Sequence, residues 1–372
     1  MNDAVRKPDW KDRIVLALDW LWQRLKGLAW LYNPRTMREK GWIWAGIVLL
    51  ATAVVVLWGV GVYWSQAPDT FDVRTEALKM AGGDREKLVP GYVTAATLTH
   101  EAEILLDKPG GYLSNDVMPP SSLFGLTPLL DNMPNWEFGA LVMLRDTARV
   151  LRNDFSRSQS QSREDRDLAE AEPRLNFSND SWMFPPTERQ YREATQHLRN
   201  YMRRLADPAD QSAHFYTRAD NLNQLLWVAG KRLGSLSQRL NASVAEERFH
   251  VALTGDPSAP EVARTPETVR AETPWLEVDD VYYEARGYTW ALLHMLRAVE
   301  IDFADILENK NATASLRQVI RLLEQTQVEA SSPVVLNGDP MGWVANYSKT
   351  MVSYISPANA GLIDLLNLLS QG

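Results

Sequence analysis

Cysteine is absent from the 372-residue chain. Its absence excludes disulfide bonds, thiolate zinc sites and cysteine nucleophiles. Any exported domain must therefore be held together by its hydrophobic core, and a chain of this length can bury enough apolar surface to do so. The alternating polar and apolar pattern of sheet strands is also nearly absent; residues 333–336 are the single short extended candidate.

Charge is absent from residues 41–64, which are rich in Ile, Val, Leu and Trp. At about 1.5 Å per residue the segment covers roughly 36 Å, enough for a bilayer core of about 30 Å. The segment therefore predicts a single transmembrane helix and makes the lipid bilayer a partner. Four aromatic side chains at its ends are predicted to lie at the two membrane interfaces: Trp42, Trp44, Tyr63 and Trp64.

Charge is unevenly divided about this segment. Residues 1–40 carry nine Lys or Arg against five Asp or Glu, whereas the whole chain has a net charge of −8. The excess of basic residues places the amino terminus in the cytoplasm and the remainder on the far side. A cleaved signal peptide ending near Ser65-Gln66-Ala67 is the alternative, which the length of the apolar run disfavours.

The chain divides into segments of different composition. Residues 1–40 form a basic amphipathic segment, predicted either to lie on the cytoplasmic leaflet or to pack on a partner. Helical periodicity then covers 65–254 and 275–372, separated by a proline-rich linker or loop at 255–274. The predicted fold is all-α: one transmembrane helix followed by a large exported multi-helix domain with long Pro/Gly-rich loops.

Signatures of known chemistry are largely missing. No phosphate-binding loop, dinucleotide fingerprint or nucleophile elbow occurs, so no cofactor is expected. Glu247-x-x-His250 has the spacing of a carboxylate-bridged metal site, but it lacks the second copy that such a site requires, and no metal is predicted. The basic positions between Arg189 and Arg204 favour an ion-paired helix face over nucleic-acid binding.

The loop at 107–137 is the stretch most open to a functional interpretation. Its glycines and prolines form a turn that could present Tyr112, Asn115 and Trp136 in a cleft; a purely structural loop is the alternative. Four carboxylates around it are candidate catalytic residues: Asp107, Asp116, Asp131 and Glu137. Burial beside Trp136 would be the physical route to a general acid.

Several literal runs carry a resemblance to a known family. They are LDKPGGYLSNDVMPP at 106–120, LDNMPNWEFG at 130–139, RNDFSRSQSQSREDRDLAEAEP at 152–173 and YWSQAPDTFDV at 63–73. In these runs the chain resembles the uncharacterised proteobacterial family called domain of unknown function 2333. The resemblance implies a bacterial inner-membrane protein with a periplasmic domain, and it implies no activity, cofactor or catalytic residue.

The carboxy-terminal helix is predicted at 359–369 and is almost entirely apolar on one side. Leu362, Leu365, Leu366 and Leu369 are expected either to dock within the chain or to form a partner surface. The function predicted from the sequence is a non-catalytic envelope scaffold that binds a protein partner or a second copy. The alternatives are an envelope hydrolase or transferase, using the carboxylates of 107–137, and an accessory subunit of a transporter.

Overall fold

The computed structural model covers ten stretches of the chain. They are 32–64, 66–115, 132–158, 164–210, 212–244, 246–249, 268–271, 273–329, 335–339 and 343–370, with the backbone alone described at 34, 36, 37, 58, 61, 62 and in the two four-residue stretches. The predicted amphipathic segment before residue 32, the candidate residues Asp116 and Asp131, and most of the predicted linker lie outside the described residues.

Helices make up most of the described chain, which confirms the predicted all-α class. They are α1 (Pro34–Lys40), α2 (Trp42–Trp64), α3 (Val73–Met80), α4 (Tyr92–Asp107), α5 (Asn132–Val150), α6 (Arg166–Leu175), α7 (Thr187–Leu205), α8 (Ala219–Asn241), α9 (Val278–Asp302), α10 (Ala304–Asn309), α11 (Thr313–Gln325) and α12 (Tyr347–Ser370). A π-helical turn, Leu151–Phe155, continues α5.

Two short strands, β1 (Glu246–Phe249) and β2 (Thr268–Ala271), pair antiparallel as a hairpin. Glu246 lies opposite Ala271, and Phe249 lies opposite Thr268. The periodicity predicts a helix through residue 253, but α8 ends at Asn241 and the chain enters this hairpin. Strands of four residues carry too few alternating positions to be distinguished from the end of an apolar helical run.

Two further local predictions differ from the structure. Residues 187–190, TERQ, have the form of a capping box, yet the hydroxyl of Thr187 donates to the carbonyl oxygens of Ser178 and Ser181 instead. Pro357 stands between two periodic segments, 341–355 and 359–369, which predicts two helices, yet it lies inside the continuous helix α12. Proline removes one backbone donor, but Ile355 before Pro357 and Ala358 after it are both fully buried, and this packing on both sides keeps the helix continuous.

The core is built around the crossing of α5 and α9, which is the most extensive helix pair among the described residues. Gly139 and Gly287 face each other's backbone there. A Cβ atom at Gly139 would lie 2.0 Å from the carbonyl oxygen of Glu284, and one at Gly287 would lie 1.9 Å from that of Trp136. The two helices can therefore approach this closely only because both positions are glycine.

Helix α12 closes the bundle by packing against α8 and α11. Leu362, Leu365 and Leu369 are fully buried in this contact, and Leu366 is partly buried against the same core. Of the two predicted positions for these leucines, docking within the chain is the one observed. They are not exposed as a surface for a partner.

Two compact units divide the chain, Met1–Gly61 and Val62–Gly372. The second contains α3 to α12, so helices on both sides of the predicted linker share one core. The first contains most of α2, a 23-residue helix with no charged residue that coincides with the predicted span. Among the residues that the structure describes, no helix is both long and apolar enough to cross a membrane.

Candidate functional site

Glu137 anchors the glycine-rich loop that follows α4. Its carboxylate accepts hydrogen bonds from the backbone N–H of Leu113 at 2.9 Å, from the N–H of Ser114 at 2.8 Å and from the Ser114 hydroxyl at 2.6 Å. It also pairs with the ammonium group of Lys108, and both side chains are buried. Lys108 in turn donates to the carbonyl oxygen of Gly111. The loop is thus closed over a buried, fully hydrogen-bonded ion pair.

This environment is unsuited to the predicted acid catalysis. Burial raises the pKa of Glu137, and the Lys108 ammonium group and the Ser114 and Leu113 donors oppose that rise. The carboxylate oxygens are occupied by protein donors, so none faces a substrate. Asp107, in contrast, is exposed to solvent over 59% of its side chain, and its carboxylate lies 2.9 Å from the guanidinium group of Arg192. The structure therefore gives these two candidates separate structural roles.

Two glycines shape the same loop. Gly110 and Gly111 have φ angles of 88° and 73°, in the left-handed region that favours glycine. Gly110 also lies against Trp64, since a Cβ atom there would be 2.6 Å from Cγ of the tryptophan ring. The end of helix α2 and the loop after α4 are therefore in direct contact.

Tyr112 and Asn115 connect this loop to the segment between α6 and α7. The Tyr112 hydroxyl donates to the carbonyl oxygen of Asn179 at 3.0 Å. The Asn115 amide donates to the carbonyl oxygen of Ser181 and to the Glu188 carboxylate, each at 2.9 Å. Both residues thus hold the neighbouring segment in place.

Of the two interpretations of this loop, the burial of Tyr112 and Trp136 contradicts the open cleft and agrees with the structural loop. Tyr112 is buried and packs edge-on against Tyr191, with ring centroids 5.6 Å apart. Trp136 is fully buried beside Trp290, with centroids 5.1 Å apart. Both large aromatic side chains are covered by neighbouring core residues, because burying them removes a large apolar surface from water.

The segment that Asn115 and Tyr112 hold carries an exposed apolar cluster, residues 182–184, which we call the aromatic tip. Trp182, Met183 and Phe184 expose 70%, 38% and 90% of their surface. Sequence analysis missed this cluster because it lies in an irregular loop between helices. The signal was present in the run SWMFPP, in which apolar residues precede two prolines.

A buried acid and a buried imidazole lie at the centre of the domain. Phe71 donates its backbone N–H to Nε2 of His294 at 3.0 Å, so the proton of the neutral ring is on Nδ1, which is 3.8 Å from Oε1 of Glu101. Burial raises the pKa of Glu101 well above its usual value and lowers the pKa of His294 to about 3. His294 is therefore neutral at pH 7, and its hydrogen bond ties Phe71 to α9.

Most basic positions of α7 are ion-paired, as the sequence predicted, whereas Arg203 donates to the side chain of Asn200. Arg199 contacts Glu103 at 2.7 Å, and Arg204 contacts Asp165 at 2.7 Å and Asp167 at 2.6 Å. The Arg204 pairs are buried and hold α7 against α6, whereas Arg192 and Arg199 are more than half exposed. The guanidinium groups that make these ion pairs are engaged with protein carboxylates rather than turned to an outside anion.

A cavity of about 430 Å³ lies between the end of α3, the first residue of α4 and the end of α7, apart from the predicted site residues. Its walls combine the cations Lys87, Arg199 and Arg203 with the apolar side chains of Met80 and Met202. Within the described stretches, no three His, Asp or Glu side chains are grouped so that they could hold a metal ion.

Comparison with known proteins identifies a family. Residues 37–372 match the family model described as "Uncharacterized protein conserved in bacteria (DUF2333)". No curated protein and no solved structure matches the chain. Since the family model covers most of the sequence, including the loop anchored by Glu137, the chain belongs to this family of bacterial proteins.

Proposed function

We propose that the protein is a single-pass inner-membrane protein whose helical domain lies in the periplasm and binds an envelope partner without catalysing a reaction. The observation that carries the anchoring is the exposure of apolar side chains along α2. Trp42, Ile43 and Val55 are 94%, 83% and 66% exposed in a helix without charge. Exposed apolar side chains along an uncharged helix favour a surrounding lipid or protein environment over water.

The ends of α2 support the same proposal. Trp42 and Tyr63 are exposed and Trp44 and Trp64 half-buried, and the Lys40 ammonium lies 4.9 Å from the centre of the Trp44 ring. Aromatic and basic side chains in this arrangement suit the headgroup region on the side that carries the basic amino-terminal segment. The orientation follows from that basic segment, and the location in a bacterial envelope is consistent with the family.

Binding rather than catalysis is supported by the candidate carboxylates. Glu137 and Asp107 are both engaged by basic side chains, and Glu137 is inaccessible. Large apolar side chains are exposed outside the aromatic tip, including Trp275 and Trp227. Exposed aromatic side chains of this size are typical of surfaces that a protein partner covers.

Topology reporters test the anchoring. A fluorescent protein that matures only in the cytoplasm should be bright when fused before Met1 and dark when fused after Gly372. The paired substitutions Val55→Lys and Val56→Lys should abolish insertion, because each lysine at mid-span costs about 2.5 to 3.5 kcal/mol. As the matched control, Trp42→Lys and Tyr63→Lys should be tolerated, since lysines at the helix ends reach the interface. A bright carboxy-terminal fusion of the unsubstituted chain would contradict the proposal.

Purification of the full-length protein from detergent-solubilised membranes tests the binding role. We expect either a stoichiometric envelope protein or a defined homo-oligomer by light scattering. A protein that is repeatedly recovered as a monomer with nothing bound would contradict this part of the proposal.

A further inference from the structure

We propose that the aromatic tip inserts into the lipid interface of the membrane that α2 enters. The inference rests on the proposed anchoring and adds a second membrane contact to it. Its starting point is the exposure of Trp182 and Phe184, which together present two aromatic rings to the surroundings of an otherwise well-packed domain. Covering such rings is favourable by about 25 cal/mol per Å² of apolar surface removed from water.

The segment that carries the tip is held in place by hydrogen bonds at its base. The N–H and the hydroxyl of Thr187 both donate to the carbonyl oxygen of Ser181 at 2.9 Å. The Ser181 hydroxyl donates to the carbonyl oxygen of Pro185 at 2.9 Å, and Asn115 reaches Ser181 from the neighbouring loop. A segment ordered in advance loses little conformational entropy when its exposed side chains bind.

The position of the tip points to the bilayer as its occupant. Segment 110–115 contacts Trp64, the last residue of α2, through Gly110, and it contacts Ser181, the residue before the tip, through Asn115. Five residue steps cover at most about 18 Å. The base of the tip is therefore separated from Trp64, where the proposed span ends and the headgroup region is expected, by no more than this segment and one side-chain contact at each end.

The chemistry of the tip suits a shallow position in that region. Trp182 and Phe184 are residues that membrane interfaces favour, and 182–186 contain no charge. Pro185 and Pro186 have no backbone N–H, so fewer polar groups would have to leave water. Asp180 and Glu188 flank the tip and limit its depth. The predicted contact is therefore with the headgroup and upper acyl region.

The absence of native cysteine allows a direct test on the full-length protein. A nitroxide is attached to Phe184→Cys, and to Trp182→Cys as a second tip position, in vesicles of phosphatidylethanolamine and phosphatidylglycerol. Trp343→Cys, on another loop and fully exposed, is the control. Val55→Cys, within α2, reports on the anchoring. Spin-label accessibility to oxygen and to a water-soluble nickel chelate is measured, with circular dichroism to verify folding.

We expect a several-fold loss of nickel accessibility at the tip relative to Trp343→Cys, with oxygen accessibility shifted towards that at Val55→Cys. Nickel accessibility at both tip positions equal to that at residue 343 would overturn the inference. So would dipolar broadening at residue 184, which would place a second copy of the chain on the tip. If the label at 55 is in lipid while both tip labels are in water, only this inference fails. If the label at 55 is itself in water, the proposed anchoring fails.

Discussion

Glu137 and Asp107 were equal candidates for catalysis in the sequence, but they differ in burial. Glu137 is buried and Asp107 is exposed. Glu137→Gln would leave the Lys108 ammonium buried without a counter-ion, which we expect to lower the free energy of unfolding by about 3 to 5 kcal/mol. Asp107→Asn removes an exposed pair with Arg192 and should cost less than about 1 kcal/mol. Denaturant unfolding of the full-length protein in detergent measures both. Equal effects of the two substitutions would contradict the structural role of Glu137.

A double substitution measures the interaction between the buried charges of Lys108 and Glu137. Lys108→Met combined with Glu137→Gln should be less destabilising than the sum of the single substitutions, because no charge is then left buried alone. Additive effects would show that Lys108 and Glu137 do not interact in the folded protein.

Asp302 makes stability depend on pH. It accepts the N–H and the hydroxyl of Thr94, each at 2.7 Å, and burial raises its pKa to about 6 despite these donors. Between about pH 4 and 6 the folded protein keeps a proton that the unfolded chain releases, so this group lowers the free energy of unfolding as pH rises. The loss should be about 2 to 3 kcal/mol. Asp302→Asn should remove it in unfolding experiments across this range, and an unchanged pH profile would contradict the prediction.

At the scale of elements, the crossing of α5 and α9 requires glycine. Gly139→Ala and Gly287→Ala each place a methyl group against a carbonyl oxygen of the other helix. We expect each to destabilise the protein by about 1 to 3 kcal/mol or more, because the helices must separate. Gly230→Ala in α8 is the control: its added Cβ would be 3.4 Å from Asn359, an ordinary contact. That substitution should stabilise by up to about 1 kcal/mol, and melting temperatures should rank the variants accordingly.

Helix α12 allows the same kind of comparison within one element. Leu365 is fully buried, and Leu365→Ala should cost about 2 to 5 kcal/mol. Ile363, two residues away, is 51% exposed, and Ile363→Ala should change stability by about 0.5 kcal/mol or less. If instead Ile363→Ala were the more destabilising, the docked face of α12 would be wrong.

At the scale of the whole molecule, residues Val62–Gly372 form one compact unit although a proline-rich segment interrupts the helices. α5 packs most extensively on α9, which lies beyond that segment. A chain that ends at residue 254 should therefore not retain a folded amino-terminal half, because the core face of α5 would be exposed. Loss of the cooperative unfolding transition by circular dichroism is the expected result. A truncated chain that unfolds cooperatively would show two independent halves.

Periodicity predicted several elements well. The uncharged helix was expected at 41–64 and is observed as Trp42–Trp64, and the long helix expected from residue 275 begins at Val278. The errors occur where a local signal competes with packing. Pro357 is a helix breaker by itself, but the contacts of α12 maintain the helix on both sides of it.

The candidate site was only partly predictable. The glycine-rich loop was recognised as distinctive, and Tyr112, Asn115 and Glu137 all have specific contacts there. The sequence does not show these contacts, because the residues that form them are far apart in the chain. Glu137 pairs with Lys108, and Asn115 donates to the carbonyl oxygen of Ser181. The aromatic tip was missed because an irregular loop has no periodicity, so exposure had to be observed directly.

The sequence by itself determined the helical class, the uncharged segment at 41–64, the uneven charge and the exclusion of cysteine chemistry. These are local or compositional properties, and spacing within one segment is enough to specify them. Only the tertiary structure decided which carboxylates are buried, which glycines permit a helix crossing and which aromatic side chains stay exposed. Such properties depend on which faces of distant helices meet, and a helical repeat specifies the apolar face of a segment but not the partner that covers it.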